Sequence, residues 1–132
     1  MKVRLKGIEG FLCAARCGGH QVRMDQPEDY GGKNAAPEPV ALLGAALAGC
    51  VYSSLKAFLE RRGLRPEEVE VEVEMEKARE PARIGAFRVR LRLPRGVEKA
   101  WIPAVRRAVL GCSVTGTLVH PAQVELEILE EG

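Results

Sequence analysis

The sequence predicts an α+β fold in which one long, buried helix is laid against antiparallel sheet, and three observations predict it. The run VALLGAALAGCVYSSLKAFLERRG extends from Val40 to Gly63 without a helix breaker. Two later segments, opening at Val69 and Phe87, alternate apolar and charged residues with a period of two. Helical and strand patterns do not alternate as repeated βαβ units, so a parallel doubly wound sheet does not fit. A length of 132 residues suits one domain over 1–132, and 46% hydrophobic with 29% charged residues places the chain among globular proteins, outside the disordered and membrane classes.

The first segment, Lys2 to Asp25, is broken by Gly7, Gly10, Gly18 and Gly19 and carries apolar residues at short spacing, which predicts a meander of two or three strands. Next, QPEDYGGKNAAPEP (Gln26 to Pro39) is rich in Pro and Gly without apolar periodicity. It reads as a loop able to cover a site. Pro39 suits the first turn of the long helix, and Gly63 with Pro66 just beyond stops it. The first half of that helix is apolar on all sides, which predicts burial all round; Lys56, Glu60, Arg61 and Arg62 give the second half a wet face.

From Val69, VEVEVEMEK places Val69, Val71, Val73 and Met75 on one face and Glu70, Glu72, Glu74 and Glu76 on the other. Phe87, Val89, Leu91 and Leu93 alternate in the same way with Arg88, Arg90 and Arg92. Paired antiparallel, the two strands set a glutamate row against an arginine row, a device for register more than for stability. Val97 to Leu110 reads as a second helix, with Pro103 tolerable in its first turn and Gly111 as its stop. After Cys112 comes a short helical stretch, SVTGTLVH, and then a last alternating strand, AQVELEIL, with Val124, Leu126 and Ile128 facing inward.

Charge narrows the partners. Lys and Arg number 20 against 18 for Asp and Glu, with no block of like charge, so neither nucleic acid nor a membrane surface is expected. The start MKVRLKGIEG lacks the apolar core of a signal peptide, and the most apolar stretch, Val40 to Tyr52, is too short to span a bilayer. A cytoplasmic location is expected. There, cysteines stay reduced unless they bind metal or do redox work. The chain has four: Cys13, Cys17, Cys50 and Cys112. Its abundance of Arg and Glu and paucity of Asn and Gln also fit a thermophilic source, where structural disulfides occur inside cells.

Cys50 shares a helical face with Ala46, Leu47, Ser53, Ser54 and Ala57, and the small residues there, with Gly44 and Gly49, cost helix propensity for the sake of close approach. Alone, Cys50 reads as a small buried hydrophobe. Cys112 follows the Gly111 break and opens a short helix, where free N–H groups favour a thiolate, although a turn cysteine without a role fits the local sequence as well. Cys13, Cys17 and His20 have spacing that permits a metal site, but zinc needs a fourth ligand; strand and turn cysteines are the preferred reading, and no metal or cofactor is expected. Trp101, Tyr30 and His120 read as packing, loop and turn residues.

The run GGKNAAPEPVALLGAALAGC ending at Cys50, the charged strand pair, and the helix leading into CSVTGTL at Cys112 together resemble the osmotically inducible protein C (OsmC) and organic hydroperoxide resistance (Ohr) superfamily, over nearly the whole chain. In that superfamily a proline opens the central helix, a cysteine lies eleven residues on, and a second cysteine begins a Cys-Pro-Val-Ser segment; Pro39, Cys50 and Cys112 to Thr115 match, with Ser113 in place of the proline. The resemblance implies an OsmC-like fold built as an intertwined homodimer, whose partner sheet would cover the apolar helix. It also implies a thiol-dependent peroxidase: Cys50 attacks a hydroperoxide, becomes a sulfenic acid and condenses with Cys112, and an external dithiol reduces the disulfide. Dedicated organic peroxide reducers carry a glutamate directly after the helix-opening proline, holding a catalytic arginine. Here that position is Val40, which leaves Glu38 as the candidate carboxylate and Arg16 or Arg23, with His20 beside them, as candidates for the cation. These departures resemble the shorter OsmC-like branch. A rival reading is a non-catalytic dimer that binds an apolar or sulfur-containing small molecule in its interface cleft.

Overall fold

A computed structural model describes residues 1–65, 67 and 69–131. Its architecture is α+β. Strands β1 (Val3–Glu9), β2 (Leu12–Cys17) and β3 (His20–Met24) form an antiparallel meander in that order. The first connection is Gly10-Phe11 and the second Gly18-Gly19; Gly10 and Gly18 lie at φ +57° and +62°, the left-handed region that a two-residue hairpin demands and glycine supplies. Register follows, with Val3 opposite Cys17, Leu5 opposite Ala15, and Cys17 opposite His20.

The Pro- and Gly-rich loop is ordered around Asp25, which is only 3% exposed. Its carboxylate accepts hydrogen bonds from the amides of Gln26 (2.8 Å), Lys33 (3.3 Å) and Ala35 (3.0 Å). Within this clamp the chain makes a 3₁₀ turn over Glu28–Tyr30, and a Cβ on Gly32 would overlap the Gln26 carbonyl.

Helix α1 runs from Pro39 to Glu60. It closes in a Schellman motif: Leu64 N–H reaches Leu59 O, Gly63 N–H reaches Glu60 O, and Gly63 takes φ +78°. Its buried face is Gly44, Leu47, Val51, Leu55, Phe58 and Leu59, mostly three or four residues apart. Gly44 earns its place by proximity to Met75, whose Cε would lie 2.7 Å from an added Cβ.

Burial all round does not occur in one chain. Leu43, Ala45, Ala46, Gly49 and Tyr52 are exposed, because the rest of the chain covers only one side of the helix. At 22 residues, α1 also exceeds the apolar stretch recognised in the sequence, and by length and composition alone it could cross a bilayer. Its face inside the protein is that of a core helix: Leu55 and Leu59 are fully buried.

Strands β4 (Glu70–Ala78) and β5 (Arg83–Arg92) form the charged hairpin. Arg90 meets Glu72 at 3.6 Å and Arg92 meets Glu70 at 3.7 Å, the predicted rows facing each other in register. A 3₁₀ turn over Lys99–Trp101 leads into α2 (Ile102–Leu110), so the second helix starts later than Val97 and keeps Pro103 in its first turn. Helix α3 (Ser113–Val119) follows at once.

The predicted last strand is absent. Residues 121–131 have no regular structure, and Val124, Leu126, Ile128 and Leu129 are 80–95% exposed. A strand needs a neighbour to satisfy its backbone, and among the described residues no strand pairs with this segment.

By contacts the chain sorts into two compact units, residues 1–46 with 73–87, and residues 47–72 with 88–131. The first holds the meander, the clamped loop, the start of α1 and the tip of the hairpin. In the second, Leu55, Phe58, Leu59 and Val105 form the core, flanked by Leu64, Leu91, Leu93, Trp101 and Ala108. The Arg62 guanidinium stacks over Phe58, 3.6 Å from the ring centroid.

Candidate active site

Two of the four cysteines come together, and both lie in the second unit. Cys50 sits mid-helix on α1, half-buried; Cys112 is buried in the break between α2 and α3. That break is local chemistry. Gly111 ends α2 with its amide on Arg107 O, and the extended backbone of Cys112 (φ −74°, ψ 154°) makes it the N-cap of α3. An N-cap side chain reaches the amide three residues on. Accordingly, Thr115 N–H donates to Cys112 Sγ at 3.4 Å, and the Thr115 hydroxyl lies 2.9 Å from the same sulfur.

The paired thiols differ in acidity. Burial pushes the Cys50 thiol up, the amides of Val114 and Ser113 pull it back, and the neighbouring Cys112 adds to the rise; the net shift is upward. Cys112 is also pushed up by burial, but the Thr115 hydroxyl, the Cys50 thiol and the amides of Thr115 and Val114 outweigh it. Its net shift is downward. The two thiols interact directly, and of the two Cys112 is the one whose ionised form its surroundings favour. All four cysteines are free thiols.

The remaining candidates belong to the first unit. Arg16 on β2 and Arg23 on β3 are exposed, while Glu38 is half-buried just before α1, where its carbonyl accepts the Leu42 amide. Val40 stands in the first turn of α1. Cys13 and Cys17 are four positions apart along β2, a separation of about 13 Å in an extended strand, which is too far for both to ligate one ion. The metal hypothesis fails on that geometry. His20 faces Cys17 across the hairpin, and Cys13 Sγ contacts Met24 O at 3.7 Å. Trp101 packs against the core of the second unit, and the Tyr30 ring has the Lys77 ammonium 5.7 Å from its centroid.

The sequence reading expected free N–H groups at this helix start to favour a Cys112 thiolate; it overlooked the Thr115 hydroxyl and the reach of the Ser113 and Val114 amides to Cys50. Cysteine followed three residues later by threonine, directly after a helix-ending glycine, is the spacing of a capped helix start, and that signal was legible.

The pattern of the OsmC-like protein family matches residues 31–127, most of the chain and both cysteines. The protein belongs to the OsmC-like family. Solved structures share the fold at low sequence identity. A protein of Psychrobacter arcticus, proposed to act in the osmotic stress induced and detoxification response, is 18% identical with a TM-score of 0.81, covering 89% of this chain and 87% of that one. An OsmC-like protein from Mycoplasma pneumoniae is 14% identical with a TM-score of 0.68, covering 91% and 87%. The organic hydroperoxide resistance protein OsmC of Legionella pneumophila is 17% identical with a TM-score of 0.58, covering 89% of each chain. No curated protein matches the sequence.

Proposed function

We propose that this OsmC-like protein is a thiol-dependent peroxidase that reduces organic hydroperoxides through Cys50 and Cys112, in oxidative stress defence. The observation that carries the reading is the placement of two thiols against one another, with the Cys112 sulfur held by the Thr115 amide and hydroxyl at 3.4 and 2.9 Å. A thiol is a poor nucleophile and a thiolate a good one. Once Cys112 is ionised, its thiolate stands beside the Cys50 S–H and can take its proton as Cys50 attacks. The Cys50 sulfur then bonds to the distal oxygen of the hydroperoxide, the O–O bond breaks, and the alcohol leaves with that proton. Cys112, again a thiolate, displaces hydroxide from the Cys50 sulfenic acid, giving the Cys50–Cys112 disulfide, and a proton from solvent converts the hydroxide to water. An external dithiol resets the pair. This route gives Cys50 a base without the glutamate that Val40 replaces.

Two further features support the reading. The amides of Ser113 and Val114 point at the Cys50 sulfur, where they stabilise negative charge as the attack begins. The Legionella pneumophila structure belongs to a protein named for organic hydroperoxide resistance.

We further propose that the protein acts as a homodimer in the cytoplasm. The uncovered face of α1 and the exposed, alternating residues 124–129 support this, since both need a second surface.

Turnover tests the proposal. Consumption of tert-butyl hydroperoxide in the presence of dithiothreitol should be catalysed by the wild type, lost in Cys50→Ser, and reduced to at most one turnover in Cys112→Ser. Equal rates for all three proteins would contradict it.

A further inference from the structure

Thr115 has a part in the reductive half of the cycle as well as in the oxidative one. Its hydroxyl and its amide both converge on Cys112 Sγ, at 2.9 and 3.4 Å; the donors that favour the Cys50 thiolate are the backbone amides of Val114 and Ser113. Cys112 is buried, 7% exposed, and Cys50 is more open. Both asymmetries act in the same direction when the disulfide is reduced: the more accessible sulfur is the one attacked, and the better-stabilised sulfur is the one that leaves.

We infer that Thr115 is a positioning residue that makes Cys112 the leaving thiolate, so that the reductant always joins covalently to Cys50. This inference rests on the Cys50–Cys112 disulfide of the proposed cycle. In the step itself a thiolate of the dithiol reductant forms a bond to Cys50 Sγ. The Cys50–Cys112 bond breaks, and its electron pair departs with Cys112, where the Thr115 O–H and N–H receive the charge. The reductant's second thiolate then attacks its own first sulfur and expels Cys50 as a thiolate. Two cysteine sulfurs are reduced and one dithiol is oxidised to a disulfide. Protons from the dithiol or from solvent return the pair to its reduced state.

Loss of the hydroxyl alone isolates the effect, because Thr115→Val keeps the shape and the backbone amide, and Thr115→Ser restores the donor. One hydrogen bond to a thiolate is worth about one pKa unit. In the reduced full-length protein, peptide-resolved alkylation by iodoacetamide as a function of pH should therefore show the Cys112 midpoint rising by about one unit in Thr115→Val and returning in Thr115→Ser. Disulfide reduction by dithiothreitol should slow by about threefold in Thr115→Val, taking sensitivity to the leaving thiol as comparable to that for an attacking thiol. Glutathione added to the oxidised wild type and quenched with N-ethylmaleimide should be found on Cys50. Glutathione on Cys112, or an unchanged Cys112 midpoint in Thr115→Val with native circular dichroism, would overturn the inference. Forming the disulfide with diamide instead of a hydroperoxide separates the two claims: a protein inert to hydroperoxide fails as a peroxidase, yet its diamide-made disulfide still tests Thr115.

Discussion

A thiol at a helix N-cap meets amide hydrogens that a thiol in the middle of a helix cannot reach, because mid-helix amides are already bonded four residues back. That difference separates Cys112 from Cys50. Cys50 borrows backbone donors from another helix, the amides of Ser113 and Val114 at the start of α3. The same logic of converging amides governs Asp25, whose carboxyl is held below the usual carboxylate range, first by the Ala35 amide, against the upward push of burial, and then by the amides of Gln26 and Lys33. A carboxyl depressed in the folded state contributes stability above its unfolded value, near 3.9, and loses it as pH falls through the lower folded value. Asp25→Asn should therefore flatten the acid limb of the melting temperature below about pH 4 and speed hydrogen exchange at Lys33 and Ala35. A variant with the wild-type acid limb would show that the clamp carries no charge-dependent stability.

At the scale of elements, α1 supplies the hydrophobic anchor of the second unit through Leu55 and Leu59, both fully buried, with Val105 of α2 against them. Cys112 stands two residues beyond the end of α2, so a core that holds α2 also holds the thiol. Leu55→Ala or Leu59→Ala should cost about 2–5 kcal/mol in denaturant unfolding, and a loss under about 1 kcal/mol would mean that α1 does not anchor this unit. Much of this was legible beforehand. Pro39 and Gly63 bracket α1, and the Glu and Arg rows paired as their alternation required. The last strand failed, and burial all round is not reached within one chain, for one reason: a periodic apolar pattern states that a face is to be covered and does not state by what. So the all-apolar start of α1 remains half uncovered, and Val124, Leu126 and Ile128 alternate like a strand without pairing. The site shows the same limit. Each cysteine alone looked ordinary, and only the fold brings residues 50 and 112 side by side.

For the whole molecule, these uncovered surfaces bear on assembly. If residues 124–129 pair with a second copy, as proposed, charges placed there should break the dimer without unfolding the chain, since Leu126 and Ile128 are 85% and 80% exposed in one copy. Light scattering should give a dimer for the wild type and a folded monomer for the double variant Leu126→Asp, Ile128→Asp. A wild-type monomer, or a double variant still dimeric, would contradict that assembly. Chemistry at the thiol pair is the more central claim, and it can be read directly. The reduced protein is mixed with one equivalent of tert-butyl hydroperoxide, quenched with N-ethylmaleimide and digested, and its disulfides are mapped by mass spectrometry. A Cys50–Cys112 bond formed within seconds, and absent in Cys50→Ser, is the predicted result; free, unoxidised Cys50 and Cys112 after the same exposure would contradict it.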